Sequence, residues 1–245
     1  MNCVILAAGL GTRLRGVSDS KPLTQVAGRP LIEHVVRRAA HAGASRFVVV
    51  TGHQADRLEP FLVELRQRLA LPISFERAED WMRPNGFSVL AGSARIEGDY
   101  LLLMSDHLFD PQIAGRLIAA SDSAADLILA VDGNLAGELV DLADVTKVEV
   151  ASDGRIVRIG KELERYNAFD TGLFRAGPGL AEAIRADIAD GGPGSLSAGV
   201  QRLAAAGRAR TMDIGAARWI DVDDRRMLAL AERLVASDVL TGSAT

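Results

Sequence analysis

The feature that most limits the possible folds is an alternation of short apolar runs with helix-like segments through the first half of the chain. Apolar runs of strand length stand at residues 3–6, 47–50, 100–104 and 127–131. Helical patterns cover residues 31–42, 56–69, 87–94 and 111–120. Continuous apolar strands separated by helices are typical of parallel sheets that are covered on both faces. The alternation therefore predicts βαβ units with right-handed crossovers.

The second half of the chain follows a different pattern. Two strand-like runs flank the turn residues 151–154 and predict a hairpin at residues 146–159. Further strands are expected near 168–174 and 209–213, and helices near 179–189 and 224–237. We predict a single α/β domain over residues 1–235, a Rossmann-like doubly wound mixed sheet with an inserted β-hairpin lobe at about 133–175. Residues 236–245 are expected to form a tail.

Composition narrows the classes of partner. The formal net charge is −4, which argues against a nucleic-acid-binding protein, because such proteins normally carry a basic field. The single cysteine, Cys3, excludes an internal disulfide and fits a reducing compartment. The apolar start lacks the basic leader of a signal peptide, and no stretch reaches the roughly 20 apolar residues of a membrane span. We therefore expect a cytoplasmic protein that is not embedded in a membrane.

A glycine loop follows the first predicted strand. It reads Leu6-Ala-Ala-Gly-Leu-Gly-Thr-Arg13, and Lys21 comes after it. Small residues let backbone N–H groups approach anionic oxygens or a base edge, and Arg13 and Lys21 add two positive charges. A dinucleotide-binding fingerprint would need a third glycine where Leu14 stands, and a P-loop would need Gly-Lys-Ser/Thr, which is missing. The loop therefore predicts a polyphosphate site of another class.

Three acidic residues are candidates for binding a metal ion. Asp106 follows an apolar strand, and ligands gather at the carboxyl ends of parallel strands. Asp221 and Asp223 share one face of an extended segment, although either could instead cap the final helix. Mg²⁺ prefers a few carboxylates together with phosphate oxygens, so we expect Mg²⁺ as the cofactor. The four histidines lack metal-ligand spacing, and we interpret His34 and His41, on a predicted helix, as surface or packing residues.

The glycine loop with Lys21-Pro-Leu23 resembles the signature of the sugar-phosphate nucleotidyltransferase superfamily. Similar segments continue along the chain, namely Asn85-Gly-Phe-Ser-Val-Leu90, Met104-Ser-Asp-His107, Thr146-Lys-Val148, Ile159-Gly-Lys161, Phe169-Asp-Thr-Gly172 and Trp219-Ile-Asp-Val-Asp223. Their order and spacing most resemble the CTP:inositol-1-phosphate cytidylyltransferases, with coverage to about residue 235. A membrane-embedded phosphatidyltransferase follows this domain in some relatives. The chain stops without one, so it resembles the stand-alone form.

The resemblance implies a Mg²⁺-dependent transfer of CMP from CTP to a phosphorylated alcohol, foremost inositol 1-phosphate, giving CDP-inositol and pyrophosphate. Arg13 and Lys21 would be the catalytic residues, and Asp106 with Asp223, or less favourably Asp221, would hold the metal. The nucleotide would be bound by Leu6, Ala7, Ala8, Gly9, Gly11, Thr12, Asn85, Gly86, Ser88 and Ser105. The acceptor would be bound by Lys147, Lys161, Asp170 and His107. The expected downstream partner is a membrane phosphatidyltransferase.

Other functions stay open at this point. Phosphocholine and aminoethylphosphonate cytidylyltransferases share these loops, but they need an anionic or aromatic cage for a cationic head group. Aromatic residues make up only 4% of the chain, so such a cage is poorly supplied. The candidate cage residues are Trp81, Tyr166, Phe169 and Phe174. A sugar 1-phosphate is a third acceptor class, and a non-catalytic nucleotide-binding module is a more distant alternative.

Overall fold

Alternating strands and helices build the first half of the fold, as the apolar pattern predicts. The computed structural model describes residues 1–11, 19–122, 124–137 and 139–237. The helices are α1 (Leu31–His41), α2 (Ala55–Leu69), α3 (Gly86–Ser93), α4 (Pro111–Ala119), α5 (Pro178–Ala189), α6 (Leu196–Ala205) and α7 (Arg225–Ala236). The strands are β1 (Asn2–Ala7), β2 (Gln25–Val26), β3 (Arg29–Pro30), β4 (Arg46–Thr51), β5 (Ile73–Arg77), β6 (Tyr100–Met104), β7 (His107–Phe109), β8 (Leu127–Asp132), β9 (Lys147–Val150), β10 (Ile156–Gly160), β11 (Ala168–Ala176), β12 (Ala209–Asp213) and β13 (Trp219–Asp221).

The central element is one mixed sheet of nine strands. Seven of them follow the order β10-β9-β11-β6-β1-β4-β5, and β8 pairs with β11 and with β12. The strands β6, β1, β4 and β5 are parallel neighbours, so their carboxyl ends lie at the same edge of the sheet. The pattern predicts β8 as one more parallel strand. In the structure β8 does run in the direction of β6, but the antiparallel strand β11 lies between them.

The predicted hairpin joins this sheet and does not stand apart as a lobe. Its two strands, β9 and β10, pair antiparallel, and β9 pairs with Ala168 and Phe169 at the start of β11. The last residues of β11 pair with β6 along the same edge. The hairpin therefore extends the sheet beyond the carboxyl end of β6, which is where ligands of parallel sheets gather.

The alternation of side chains along β1 explains why helices cover both faces of the sheet. Cys3 and Ile5 point into one apolar cluster, which also contains buried residues of α1, α2 and α4. Val4 and Leu6 point into the other cluster, with buried residues of α3, α5 and α6. Successive strand residues face opposite sides, so a continuous apolar strand needs both layers. The doubly wound architecture predicted from the sequence is therefore present.

The sequence analysis predicted neither the two-residue strand pair β2–β3 nor three further parts of the fold. The strand β5 lies at an edge of the sheet and is only partly buried, which weakens its apolar signal. The helix α6 follows a glycine-rich loop and begins where the Ser195 hydroxyl accepts a hydrogen bond from the Ala198 N–H. The strands β7 and β13 form a separate pair of three residues each, over a separation of about a hundred residues. Among the described residues, no helix is both long enough and apolar enough to cross a bilayer.

Candidate active site

Two adjoining cavities open at the carboxyl ends of β1 and β6. The first has a volume of about 410 Å³ and the second about 270 Å³. The residues that line both cavities are Asn85, Met104, Asp106, Asp144 and Asp223. Three of these shared residues are acidic, so carboxylates mark the border between two spaces of small-molecule size. This arrangement fits a site in which two ligands meet at a charged boundary.

The first cavity gathers most of the residues predicted to bind a nucleotide. Its predicted lining residues are Leu6, Ala7, Ala8, Gly9, Gly11, Lys21, Asn85, Ser88, Ser105, Asp106 and Asp223. Gly11 has a φ of +59°, and a Cβ atom there would lie 2.6 Å from the Cβ of Lys21. Glycine at this position therefore lets the loop pass close to Lys21. Thr12 and Arg13, the remaining residues predicted in this loop, lie outside the described residues.

Lys21 lies at the centre of the acidic residues. It is the first residue of a short 3-10 turn, Lys21–Leu23, and the ring of Pro22 restricts the backbone of that turn. Its Nζ atom forms ion pairs with Asp106 and Asp223, and lies 3.7 Å from Oδ1 of Asp221. The side chain is only 9% exposed. Burial by itself would lower the pKa of Lys21, but the three carboxylates outweigh burial and raise the pKa above its ordinary value. Lys21 is therefore a charged ammonium group held by carboxylates.

The small β7–β13 sheet brings the acidic residues together. Asp106 lies between β6 and β7, and its carbonyl oxygen accepts a hydrogen bond from the Val222 N–H. In the register of the small sheet, His107 is opposite Asp221. Burial favours the neutral form of Asp106, but the charges of Lys21 and His107 offset burial and lower the pKa of this carboxyl. The pKa of Asp221 is raised, because burial and the charge of Asp106 together exceed the effect of the neighbouring cations.

His107 lies beneath the acidic cluster. Because a carbonyl oxygen only accepts, its Nδ1–H donates to the carbonyl oxygen of Thr171, at 2.7 Å. Its Nε2 atom is 3.4 Å from Oδ2 of Asp221 and 3.7 Å from Oδ1 of Asp106. Burial would lower the pKa of His107, but the two carboxylates raise it to about 10. Gly172 makes room for this ring, since a Cβ there would overlap the imidazole.

The second cavity receives three of the four residues predicted to bind the acceptor. They are His107, Lys161 and Asp170. Asp170 accepts a hydrogen bond from the Gly172 N–H at 2.7 Å, and burial raises the pKa of its carboxyl to about 6. The Lys161 Nζ atom lies 2.6 Å from Oδ1 of Asp144. The cavity therefore combines partly buried carboxylates with one exposed lysine at its side.

Asp144 was missed by the sequence analysis. It lies before β9, and its carboxylate is within 4.8 Å of those of Asp221 and Asp223. Asp106, His107 and Asp221 form a second group with equally close ligand atoms. No periodicity or motif singles out Asp144 in its segment, because its role arises from contact with residues far away in the chain. The described cluster thus holds four carboxylates, one more than the sequence predicts.

Two predicted site residues lie elsewhere. Gly86 was expected to present its backbone to the base, but it lines neither cavity, and a Cβ there would collide with the carbonyl group of Gly194. Its lack of a side chain therefore serves helix packing. Lys147 also lines neither cavity, and its Nζ atom lies 5.4 Å from the centre of the Tyr166 ring. Trp81 and Arg83, by contrast, line the first cavity.

Comparison with known proteins agrees with this geometry. The family model of the MobA-like NTP transferase domain matches residues 3–162. A bifunctional IPC transferase and DIPP synthase from Rubrobacter xylanophilus is 32% identical over 99% of this chain and 54% of its own length. The protein of the same name from Archaeoglobus fulgidus is 33% identical over 71% of this chain and 32% of its own length. The chain therefore spans about half, or less, of these curated relatives.

Solved structures extend the likeness to the whole fold. The inositol-1-phosphate CTP transferase from T. maritima has a TM-score of 0.85 and 25% identity, and the match covers 100% of this chain and 98% of that one. A UDP-glucose pyrophosphorylase in complex with UDP-glucose shares the fold, with a TM-score of 0.80 at 18% identity over 97% of this chain. The family model covers well over half of the chain, and its region contains the glycine loop, Lys21 and Asp106. The chain therefore belongs to the MobA-like NTP transferase family.

Proposed function

We propose that the protein transfers CMP from CTP to a phosphorylated alcohol, most specifically inositol 1-phosphate, and releases pyrophosphate. The observation that carries the proposal is the cluster of Lys21 and four carboxylates at the border of two adjoining cavities. Such a border is where the α-phosphate of one substrate would meet the phosphate of the other. The names of the relatives and of the T. maritima structure support CTP and inositol phosphate as the substrates.

The acidic cluster fits a divalent cation. Carboxylate oxygens are the ligands that Mg²⁺ prefers, and here Asp144, Asp221 and Asp223 approach one another closely. The Oδ1 atom of Asp221 is buried and has no hydrogen-bond partner within the described part of the chain. A buried carboxylate oxygen without a donor is costly unless a cation neutralises it. We therefore propose that Asp106, Asp221 and Asp223, with Asp144 beside them, hold Mg²⁺.

The side chains of the cluster would act mainly by positioning and by charge. A phosphate oxygen of the acceptor attacks the α-phosphorus in line, a new P–O bond forms, and pyrophosphate leaves with the electrons of the broken P–O bond. Bound Mg²⁺ would supply charge neutralisation for the reacting phosphates. Lys21 would exchange its carboxylate partners for the α-phosphate, so that its charge stabilises the transition state. Arg13 is proposed to stabilise the leaving pyrophosphate.

The nucleotide is proposed to occupy the first cavity. Ala7, Ala8 and Gly9 are small residues at its wall, which leaves the backbone accessible to the base and ribose. Ser88 and Asn85 add polar groups, although Asn85 Oδ1 already accepts a hydrogen bond from the Leu196 N–H at 2.9 Å. The volume of about 410 Å³ is within the usual range of small-molecule sites, and the choice of CTP is proposed from the likeness to the T. maritima enzyme.

The acceptor is proposed to occupy the second cavity. The carboxylate of Asp170 faces this space and can accept hydrogen bonds from the hydroxyl groups of a polyol. Lys161 can release Asp144 and pair with the acceptor phosphate, because both residues line the same cavity. Two of the four candidate aromatic cage residues, Tyr166 and Phe169, line neither cavity. An aromatic cage for a quaternary ammonium group is therefore not supported, which disfavours phosphocholine.

A second acceptor class is favoured by the charge of the same cavity. Its acidic residues, which include Asp141 and Asp170, would also suit a primary amine. One relative, a CMP-5′-(3-aminopropyl)phosphonate synthase from Streptomyces rubellomurinus, is 30% identical over 69% of this chain. An aminoalkyl phosphonate is therefore the alternative acceptor, and a polyol phosphate remains the first candidate because the inositol-1-phosphate CTP transferase from T. maritima matches the whole of this chain.

A pyrophosphate-release assay with CTP and Mg²⁺ tests the proposal. The acceptor panel is inositol 1-phosphate, 3-aminopropylphosphonate, phosphocholine and glucose 1-phosphate. We expect the highest kcat/KM with inositol 1-phosphate and CTP, and at least about tenfold less with UTP or ATP. If turnover is highest with 3-aminopropylphosphonate, that compound and not inositol 1-phosphate is the acceptor. If no acceptor gives turnover, a non-catalytic nucleotide-binding module is favoured. The CDP-alcohol is further proposed to be the substrate of a membrane phosphatidyltransferase. The CMP transfer that forms it is proposed to occur in the cytoplasm.

A further inference from the structure

A third cavity, of about 490 Å³, is lined by α1, the end of α2, the start of α4 and the end of α7. None of its lining residues lines either cavity of the active site. Its basic and histidine residues are Arg29, His34, Arg37, Arg38 and His41, and its apolar wall includes Leu69, Leu71, Pro111 and Val235. The charged groups of this lining are all positive, although the whole chain carries a net charge of −4.

One face of α1 supplies most of this charge. His34, Arg37, Arg38 and His41 stand at i, i+3, i+4 and i+7, so they share one side of the helix. His34 Nε2–H donates to the carbonyl oxygen of Val26 at 2.9 Å. The lone pair of Nδ1 then accepts a hydrogen bond from Nη1 of Arg38, also at 2.9 Å. Because burial lowers the pKa of His34 to about 4, the ring is neutral near pH 7 and can hold the guanidinium group in this way.

Arg38 is a buried cation that has no carboxylate within ion-pair distance among the described residues, although Asp110 lies near it. It is only 7% exposed, and its buried Nε–H has no hydrogen-bond acceptor in the described structure. Its partner His34 is neutral, and the nearby Asp110 accepts hydrogen bonds from Gln112 instead. Burial and the charge of Arg29 lower the pKa of Arg38 to about 10 against the opposing effect of the Asp110 carboxylate, so the side chain still carries its charge near neutral pH. A buried charge that no ion pair neutralises is unfavourable, and a bound anion would stabilise it.

The neighbouring arginines do not remove this excess charge. Arg29, Arg37 and Arg68 all approach a single buried carboxylate, that of Glu33. Arg68 takes both oxygens of Glu33, at 2.8 and 2.7 Å. Three guanidinium groups therefore share one negative charge, and Arg38 adds a fourth positive charge beside them.

We propose that this cavity binds a phosphoryl anion, either a free phosphate or pyrophosphate or the phosphate of a phospholipid head group. Guanidinium groups match phosphate oxygens in geometry as well as in charge, because each offers two parallel N–H donors. Arg38 is the fixed donor at the inner wall, and the more exposed Arg29 and Arg37 reach the ligand from the rim. The site is independent of the active site and of the acceptor proposed above.

Histidine NMR provides a local test with free phosphate. The chain has four histidines, of which His34 and His41 report on this cavity and His107 reports on the active site. At constant pH and ionic strength, inorganic phosphate is expected to shift the His34 and His41 resonances saturably, and chloride is not. Arg38→Met should weaken this binding at least about tenfold, since a charged hydrogen bond is lost, and should leave the response of His107 unchanged.

Two further variants keep the test valid if Arg38→Met does not fold. The double variant Arg29→Ala/Arg37→Ala removes exposed side chains, and it should weaken phosphate binding by about tenfold or more. Arg66→Ala, an exposed arginine of α2 outside the cavity, is the matched control and should bind as the unmodified protein does. Phosphate binding that is unchanged in the double variant, or shifts that chloride reproduces, would overturn the free-anion form of the proposal.

Vesicles distinguish the two sources of the phosphoryl group. Co-sedimentation is measured with phosphatidylcholine vesicles, with and without phosphatidic acid. Binding that needs phosphatidic acid and is lost in Arg29→Ala/Arg37→Ala, but kept in Arg66→Ala, supports a lipid head group. NMR binding of phosphate without vesicle binding supports a free anion. The proposal is wrong if neither inorganic phosphate nor phosphatidic acid binds in a way that depends on these arginines.

Discussion

The two cavities of the active site are built in different ways. The nucleotide-side cavity is formed by the end of β1, the loop after it and the start of α3, where small residues and backbone groups make the wall. The acceptor-side cavity is formed by side chains from five separate segments between residues 139 and 227, together with residues near Asp106. The first depends on local backbone geometry, and the second depends on long-range packing. We infer that the first cavity binds the nucleotide common to all acceptors, and that the second cavity determines which acceptor is used.

The largest effect is expected at the border between the two cavities, because the carboxylates there line both of them. Removal of divalent cations with EDTA should lower turnover by more than about 10³-fold with every acceptor, since the charge on the reacting phosphates is no longer neutralised. Restored Mg²⁺ should restore turnover, and it should also raise the unfolding temperature by reducing repulsion among the carboxylates. Full activity in EDTA would contradict the proposed cation site.

Lys21→Ala tests the nucleotide side. It should lower kcat by on the order of 10²–10³-fold for all acceptors alike, because the charge acts on the common α-phosphate. Lys147→Ala is the matched control, since Lys147 lies outside both cavities, and it should change kcat by less than about threefold. If kcat falls equally in the two variants, Lys147 also acts in the reaction, and the prediction that it binds the acceptor would stand.

Asp144→Asn tests the acceptor side at the border. We expect about a tenfold fall in kcat/KM for the acceptor, because the cation and Lys161 lose a charged partner. The KM for CTP should change much less. Asp153→Asn changes an exposed carboxylate that lies outside both cavities, so it serves as the control. Equal effects of Asp144→Asn on both substrates would show that the two cavities do not act separately.

Gly172→Ala should have the smallest effect on turnover of these changes. The added methyl group would collide with the His107 ring, and alanine would have to adopt the φ of +74° that Gly172 has. The free energy of unfolding should therefore fall by about 1–3 kcal/mol. Chemical denaturation measures this loss. Gly160→Ala, where a Cβ meets nothing within 4 Å, should cost no more than about 0.5 kcal/mol. Two equal losses would mean that the fit between Gly172 and His107 is unimportant.

The same difference between the cavities explains what the sequence could predict. Asp106 and the described start of the glycine loop directly follow the strands β6 and β1, so local patterns suffice to predict that they lie at the carboxyl edge of the sheet. The cluster also contains Asp144, which no local pattern marks, because its partners Asp221 and Asp223 are more than seventy residues away. Gly86 has a packing role that the sequence did not indicate, since the absence of a side chain lets α3 approach Gly194, and contact of its backbone with the base stays a prediction. His34 is one of the helix histidines interpreted as surface or packing residues, and its buried link to Arg38 could not be read from spacing.

The short pairing between β7 and β13 makes the proposed cation site depend on the last part of the chain. Asp221 and Asp223 lie beyond the region matched by the family model, which ends at residue 162, yet Lys21 contacts both of them. A local opening of this segment would therefore remove two carboxylates at once while leaving the glycine loop in place. The first cavity would then lose Asp223 from its wall, and the proposed cation site would lose two of its ligands, so cation binding would report whether the two ends of the chain are in contact.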